Sequence, residues 1–134
     1  MQNLDQIRAR NALDATNGET YPAKGGGEVG KKLPTMVREN GIMATLAFVL
    51  EKDKQGKFSN DGMKRAMDRV VEHLTNVGKV PKDIKDSPAW QEFLAEKATS
   101  AHLREQTDEA LAYLGFFRRY ASKQENAHAG NRYN

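Results

Sequence analysis

Apolar residues recur along this chain at helical spacing, and in two stretches they cover far more than one side of the helix they predict. These are Leu33 to Asp53, LPTMVRENGIMATLAFVLEKD, and Leu103 to Ala121, LREQTDEALAYLGFFRRYA. A helix that is apolar on most sides has to be buried, at the centre of a bundle or against a partner. Between them, Met63, Met67, Val70, Leu74 and Val77 form a single stripe with the 3.6-residue period of a helix that turns one face to a core. Alternating β-branched runs and hairpin turns between apolar segments are missing. The pattern predicts an all-α fold, a compact bundle of about five to six helices.

A first helix is expected from the cap candidate Asn3 to Asn17, with Gly18 as its stop. Residues 19–31, ETYPAKGGGEVGK, form a glycine-rich connection. Pro34 suits the first turn of a short second helix that stops at Asn40-Gly41, and a third follows from Ile42 to Asp53. Asn60 caps a fourth, which carries the methionine and valine stripe and ends before Gly78. Gly78 to Asp86, with Pro81, reads as a loop. Ser87-Pro88 opens a fifth helix whose apolar face is Trp90, Phe93 and Leu94. Ser100 caps the last, from Ala101 to Lys123. Residues 1–123 therefore read as a single helical domain, and residues 124–134 as a flexible carboxyl-terminal tail.

Composition narrows the chemistry. With 134 residues, one domain is the default, and it needs no metal or disulfide to bury a core. There is no cysteine, which removes disulfides, thiol nucleophiles and thiolate metal sites and agrees with a reducing cytoplasm. The apolar run from Ile42 to Leu50 is too short to span a bilayer, and the amino terminus lacks the layout of a signal peptide. A cytoplasmic protein with no membrane partner is expected. The net charge of +3 is unevenly spread: residues 1–23 sum to −1, residues 24–85 to +5 and residues 86–134 to −1. The positive middle suits phosphate or an acidic partner.

Candidate reactive groups do not assemble. Gly25 to Lys32, GGGEVGKK, falls one residue short of the phosphate loop G-x-x-x-x-G-K-[ST], with Lys32 where the magnesium-holding hydroxyl belongs and no strand before it. It reads as a flexible linker before a helix, with Lys31 and Lys32 available for loose phosphate contact. His73, His102 and His128 lie in different segments without ligand spacing, and each reads as solvated, His73 on the polar flank of the fourth helix. The carboxylate pairs Asp68 with Glu72 and Glu105 with Glu109 have arginines nearby and read as ordinary helix ion pairs. No catalytic residue, metal site or cofactor is expected, and the chain does not read as an enzyme. A small DNA-binding regulator is the rival reading. The helix after the tight Asn40-Gly41 turn is Ile42, Met43, Leu46, Ala47, Phe48, Val49 and Leu50, a surface that cannot read base edges.

Basic positions are the remaining candidates, each of which also reads as an ordinary solvated charge. Arg65 and Arg69 stand one turn apart, away from the apolar stripe of their helix. Lys52, Lys54 and Lys57 cluster at the exit of the third helix. Arg119 falls on the polar side of the last helix with Arg104. Arg118 falls beside Leu111 and Leu114, where its stem should lie on apolar surface. The same helix carries Tyr113, Phe116 and Tyr120 as a second stripe beside Leu103, Ala110, Leu114, Phe117 and Ala121, either core or subunit interface.

Leu33-Pro34, Val37-Arg38-Glu39-Asn40-Gly41-Ile42 and Thr45-Leu46-Ala47-Phe48 with its lysine-rich exit, followed by Thr107 to Leu114 and Phe117-Arg118-Arg119-Tyr120-Ala121, resemble one family. This is the small-subunit family of the type III-B CRISPR effector, the fifth protein of the Cmr RNA-silencing complex. Ile42 stands where leucine is usual, Phe116 where tryptophan often occurs, and the glycine-rich 25–30 segment replaces what looks helical in relatives. The resemblance implies a non-catalytic subunit stacked in more than one copy beside the guide-bearing backbone subunits. Its partners would be other Cmr-type subunits, guide RNA and target RNA. Lys31, Lys32, Arg38, Lys52, Lys54, Lys57, Arg65, Arg69 and Arg119 are the candidate RNA contacts. Leu46, Phe48, Tyr113, Phe116, Phe117, Arg118 and Tyr120 are the structural or interface positions. The related small subunit of type III-A complexes does a similar job and is a further alternative beside the DNA-binding regulator.

Overall fold

Six helices make up the computed structural model, which describes residues 2–132, with side chains described as far as Ala121. They are α1 Leu4–Thr16, α2 Val29–Asn40, α3 Ile42–Val49, α4 Asp61–Asn76, α5 Ser87–Glu96 and α6 Ser100–Arg132. Among the described residues there is no strand beyond isolated antiparallel bridges, Pro22 with Glu28 and Lys52 with Phe58. The long α6 is the central post, packed against α1, α2 and α4, while α5 lies against α3 and α4. Its buried arc is Gln106, Glu109, Ala110, Tyr113, Leu114, Phe117 and Ala121. The aromatic stripe is therefore core at Tyr113 and Phe117, with Phe116 and Tyr120 half-buried at its edge. The tail expected over residues 124–134, and the reading of His128, fall on residues outside those with described side chains.

Local chemistry explains most of the boundaries and corrects several. Asn3 and Gln6 form a reciprocal capping box at the start of α1. Asp86, not Ser87, caps α5 by accepting from the Ala89 amide. Ser87 instead donates its hydroxyl to Asp68 of α4 at 2.6 Å. At the start of α6 the Thr99 hydroxyl, not Ser100, accepts from the His102 amide at 3.1 Å. The expected start of α2 at Pro34 was late: the helix begins at Val29 and Pro34 lies inside it. A proline there removes one helix hydrogen bond. The burial of Val29, Leu33, Pro34 and Val37 along one side outweighs that loss. The third helix ends at Val49, short of Asp53, because the chain then reverses in a turn closed by the Asp53 carboxylate.

The glycine-rich connection is a closed loop rather than a flexible linker. Pro22 pairs with Glu28, the Ala23 amide donates to the Gly27 carbonyl at 3.3 Å, and Gly25, Gly26 and Gly27 supply the positive φ angles of the tip. Tyr21 anchors the loop, 2% exposed, its ring edge-on to Phe117 at 5.0 Å. Its single hydroxyl proton is shared between the Ala15 carbonyl and the Glu19 carboxylate. Burial, then the Glu19 carboxylate, pushes the Tyr21 phenol up to about 12. That bond in turn holds Glu19 below its ordinary range.

Gly62 shows how closely this loop seats on α4, because a Cβ there would run into the Pro22 carbonyl. Gly62→Ala is expected to cost about 1–3 kcal/mol by overpacking against backbone. Gly115→Ala, in an exposed part of α6 where an added Cβ meets nothing, should stabilise by about 0.5–1 kcal/mol. Denaturant unfolding of both variants checks the pair, and equal shifts would show that the loop yields.

Candidate nucleic-acid and subunit interface

The turn between α3 and α4 is built to display lysines. Asp53 accepts from the amides of Gln55 and Lys57, the Asp53 amide donates to the Lys57 carbonyl at 2.8 Å, and Gly56 takes the positive φ of the tip. The half-buried Phe58 has Lys52 Nζ and Lys64 Nζ each 5.1 Å from its ring centre. Lys64 is also paired with Asp68 at 2.7 Å. Lys52, Lys54 and Lys57 are exposed, and among the described residues none of them has a carboxylate partner.

Two close approaches gather other basic positions at the same end of the bundle. Gly62 against Pro22, and Pro22 paired with Glu28, bring together the amino ends of α2 and α4. A Cβ on Gly30 would lie 3.0 Å from the Arg118 Cα, so α6 crosses the start of α2 at Arg118. Lys31, Arg118 and Arg119, all exposed, therefore stand near one another, and Lys32 donates to the Gly26 carbonyl at 2.6 Å. Arg118 packs its Cα and Cβ on Gly30, and the residue as a whole is exposed. Its substitution should cost little stability. Arg38 is exposed in the last turn of α2.

Arg65 and Arg69 are engaged internally. Arg65 pairs with Asp61 at 2.9 Å, donates to the Thr20 carbonyl and lies over the Tyr21 ring. Arg69 pairs with Glu72 at 3.0 Å and Glu19 at 3.2 Å. These arginines hold the 19–21 segment on α4. Both side chains stay partly exposed.

The α3 helix is apolar on all sides except for buried Thr45. Ile42, Leu46 and Val49 enter the core, while Met43, Ala44, Ala47 and Phe48 face outward, Met43 44% and Phe48 41% exposed. Beside it runs a shallow groove lined by Met43, Leu46 and Ala47 with Pro88, Leu94 and Ala95 of α5 and a polar rim of Gln91 and Glu92.

The reading of His73 as solvated is overturned. It is 1% exposed, stacked on Tyr113 at 4.6 Å, because α1 covers that flank of α4. Asn11 Nδ2 donates to His73 Nδ1 at 2.9 Å and to Asn76 Oδ1 at 3.0 Å, which leaves the ring proton on Nε2, donated to Glu109 Oε2 at 2.9 Å. Glu109 also takes a bidentate fork from Arg8, both bonds 2.7 Å. The expected helix pair of Glu105 with Glu109 is thus two tertiary contacts, since Glu105 binds Lys79 at 2.6 Å. Burial holds the His73 pKa below its ordinary value against the opposing pull of Glu109. Burial pushes Glu109 up, but the hydrogen bonds from Arg8 and His73 outweigh it and keep the carboxyl below its usual range. Both lowered values make the folded state bind protons less readily than the unfolded chain, so both contributions are lost on acidification.

A six-helix bundle with a basic end and an uncovered apolar helix is a surface suited to binding. Residues 4–124 match the model of the CRISPR-associated protein family Cas_Cmr5. The chain belongs to that family, the small subunit of the type III-B CRISPR effector, the Cmr complex. The X-ray crystal structure of a CRISPR-associated Cmr5 family protein from Thermus thermophilus has the same fold, with a TM-score of 0.63 and 24% identity over 92% of this chain and 98% of that one. No curated protein matches the chain in sequence.

Proposed function

We propose that this subunit is non-catalytic and lines the channel of guide and target RNA with the basic end of the bundle. The carrying observation is the lysine turn, where Lys52, Lys54 and Lys57 stand exposed and, among the described residues, without carboxylate partners on a turn fixed by Asp53. Lys31, Arg118 and Arg119 extend the same end. Phosphate contacts of this kind position a strand without reading its bases. The glycine loop serves as an anchor for α2 and α4, with Lys32 bonded back into it, rather than as a nucleotide cradle. The uncovered face of α3 and its groove suit contacts with neighbouring subunits, including further copies of this chain in a stack. The polar rim and apolar α3 surface give no support to a DNA-reading helix.

Replacing Lys52, Lys54 and Lys57 together with alanine should weaken binding of single-stranded and guide-paired RNA. The slope of log affinity against log salt should flatten by about two, at roughly 0.7 per lost phosphate contact on a single strand. The melting temperature should stay within about 2 °C, as for other exposed changes. An unchanged slope would move the RNA off this turn. Arg65→Ala with Arg69→Ala should do the reverse, lowering stability more than the salt slope.

A further inference from the structure

The first helix is fixed to the bundle by a different chemistry from the others. Its buried residues are small, Ala12, Ala15 and Thr16, while Leu4 and Leu13 are exposed. Beyond the packing of these small residues and the Tyr21 hydroxyl on the Ala15 carbonyl, what seats it on α4 and α6 is the Arg8 fork on Glu109 and the Asn11 amide on His73 and Asn76. Glu109 is the shared acceptor, since His73 Nε2 donates to the same oxygen as Arg8 Nε. The other charged or titratable groups around His73 are Asp14 from α1, Arg69 and Glu72 from α4, and Tyr113 from α6. Arg69 is paired with Glu72 and with Glu19. Arg8 also pairs with Asp5 of its own helix at 2.8 Å, a carboxylate that moves with the arm, so Arg8 and Glu109 set the balance at the ring.

We propose that α1 is a releasable arm, and that a proton taken up by His73 replaces Arg8 as the partner of Glu109 when the arm lifts. With the arm seated, the guanidinium neutralises the carboxylate, and Asn11 presents an N–H donor to Nδ1. A proton on Nδ1 would meet that donor and add a second positive charge beside Arg8. With the arm lifted, Glu109 loses its cation, the Asn11 donor leaves and water reaches the ring. An imidazolium then forms in place and pairs with the stranded carboxylate. One proton enters from solvent for each opening, so seating of α1 and protonation of His73 exclude each other. Acid lifts the arm; neutral pH seats it. The lifted state uncovers the groove between α4 and α6 at His73, Glu109 and Tyr113.

Hydrogen exchange of the full chain, corrected for the intrinsic effect of pH, tests this together with an NMR titration of the His73 ring. Residues 4–16 should exchange through an opening of their own, while residues 110–117 stay protected. Protection of α1 should fall on acidification by up to about tenfold for each pH unit, the slope of a single linked proton. Arg8→Met should lift the arm at neutral pH and raise the His73 titration midpoint. Arg8→Lys, which keeps the charge but loses the fork, should give a smaller shift of the same sign. His73→Gln, which can still donate to Glu109, should remove the pH dependence. Loss of α1 protection only together with α6, or the same His73 midpoint with and without Arg8, would overturn the proposal.

Discussion

Trp90→Ala is expected to cost about 3–5 kcal/mol, in the upper range for core truncations. The indole is fully buried in α5, and its Nε1–H donates to Gln106 Oε1 at 2.8 Å. Gln106, itself 1% exposed, donates onward to the Lys79 carbonyl at 3.0 Å. The ring thus ties α5 to α6 and, through Gln106, to the loop after α4. Truncation leaves a cavity and a buried amide oxygen without its donor, and the two losses add. Trp90→Phe keeps most of the volume and should recover most of the loss except the hydrogen bond. Far-UV circular dichroism melts read both variants. A loss below about 1 kcal/mol for alanine would mean that α5 is loosely attached.

Tyr21→Ala should cost a similar amount, about 3–5 kcal/mol, from a position that sequence reading assigned to a linker. Its ring packs on Phe117, carries the Arg65 guanidinium at 5.1 Å and bonds the Ala15 carbonyl through its hydroxyl. Without it the loop loses its seat on α6, and Arg65 and Glu19 lose their shared neighbour. Tyr21→Phe isolates the hydroxyl and should cost about 1–3 kcal/mol, the penalty of an orphaned buried carbonyl. Chemical denaturation of the two variants separates packing from hydrogen bonding. Equal losses would assign the whole effect to the hydroxyl.

Helix number and type were legible because the apolar spacing of α3, α4 and α6 leaves no other reading, and the family resemblance rested on two of these helices. The failures share a cause: each depended on what a distant segment covers. Pro34 is a start signal locally, yet α6 crosses Gly30 and draws the helix back to Val29. His73 lies three residues after Val70, at the margin of the α4 stripe, and only the arrival of α1 decides that it is buried. Gln106 and Glu109 carried a usable signal, since they precede Ala110, Tyr113 and Phe117 at helical spacing on the buried arc. Polar residues in such a register imply buried partners. The basic positions were found, but the sequence could not separate the paired Arg65 and Arg69 from the unpaired lysines of the turn, because Glu19, which binds both arginines, is 50 residues from Arg69.

The single tryptophan also makes the molecule optically selective. Trp90 reports from the contact of α5 with α6, and α1 is seated elsewhere, on α4 and α6 at Arg8 and Asn11. Its emission should stay blue, as for any indole in a dry site, while α1 comes and goes. It should shift red only when the bundle itself gives way. Tyrosine absorbance at Tyr113, stacked on His73, follows the other event. One chain thus carries separate colours for its arm and its core.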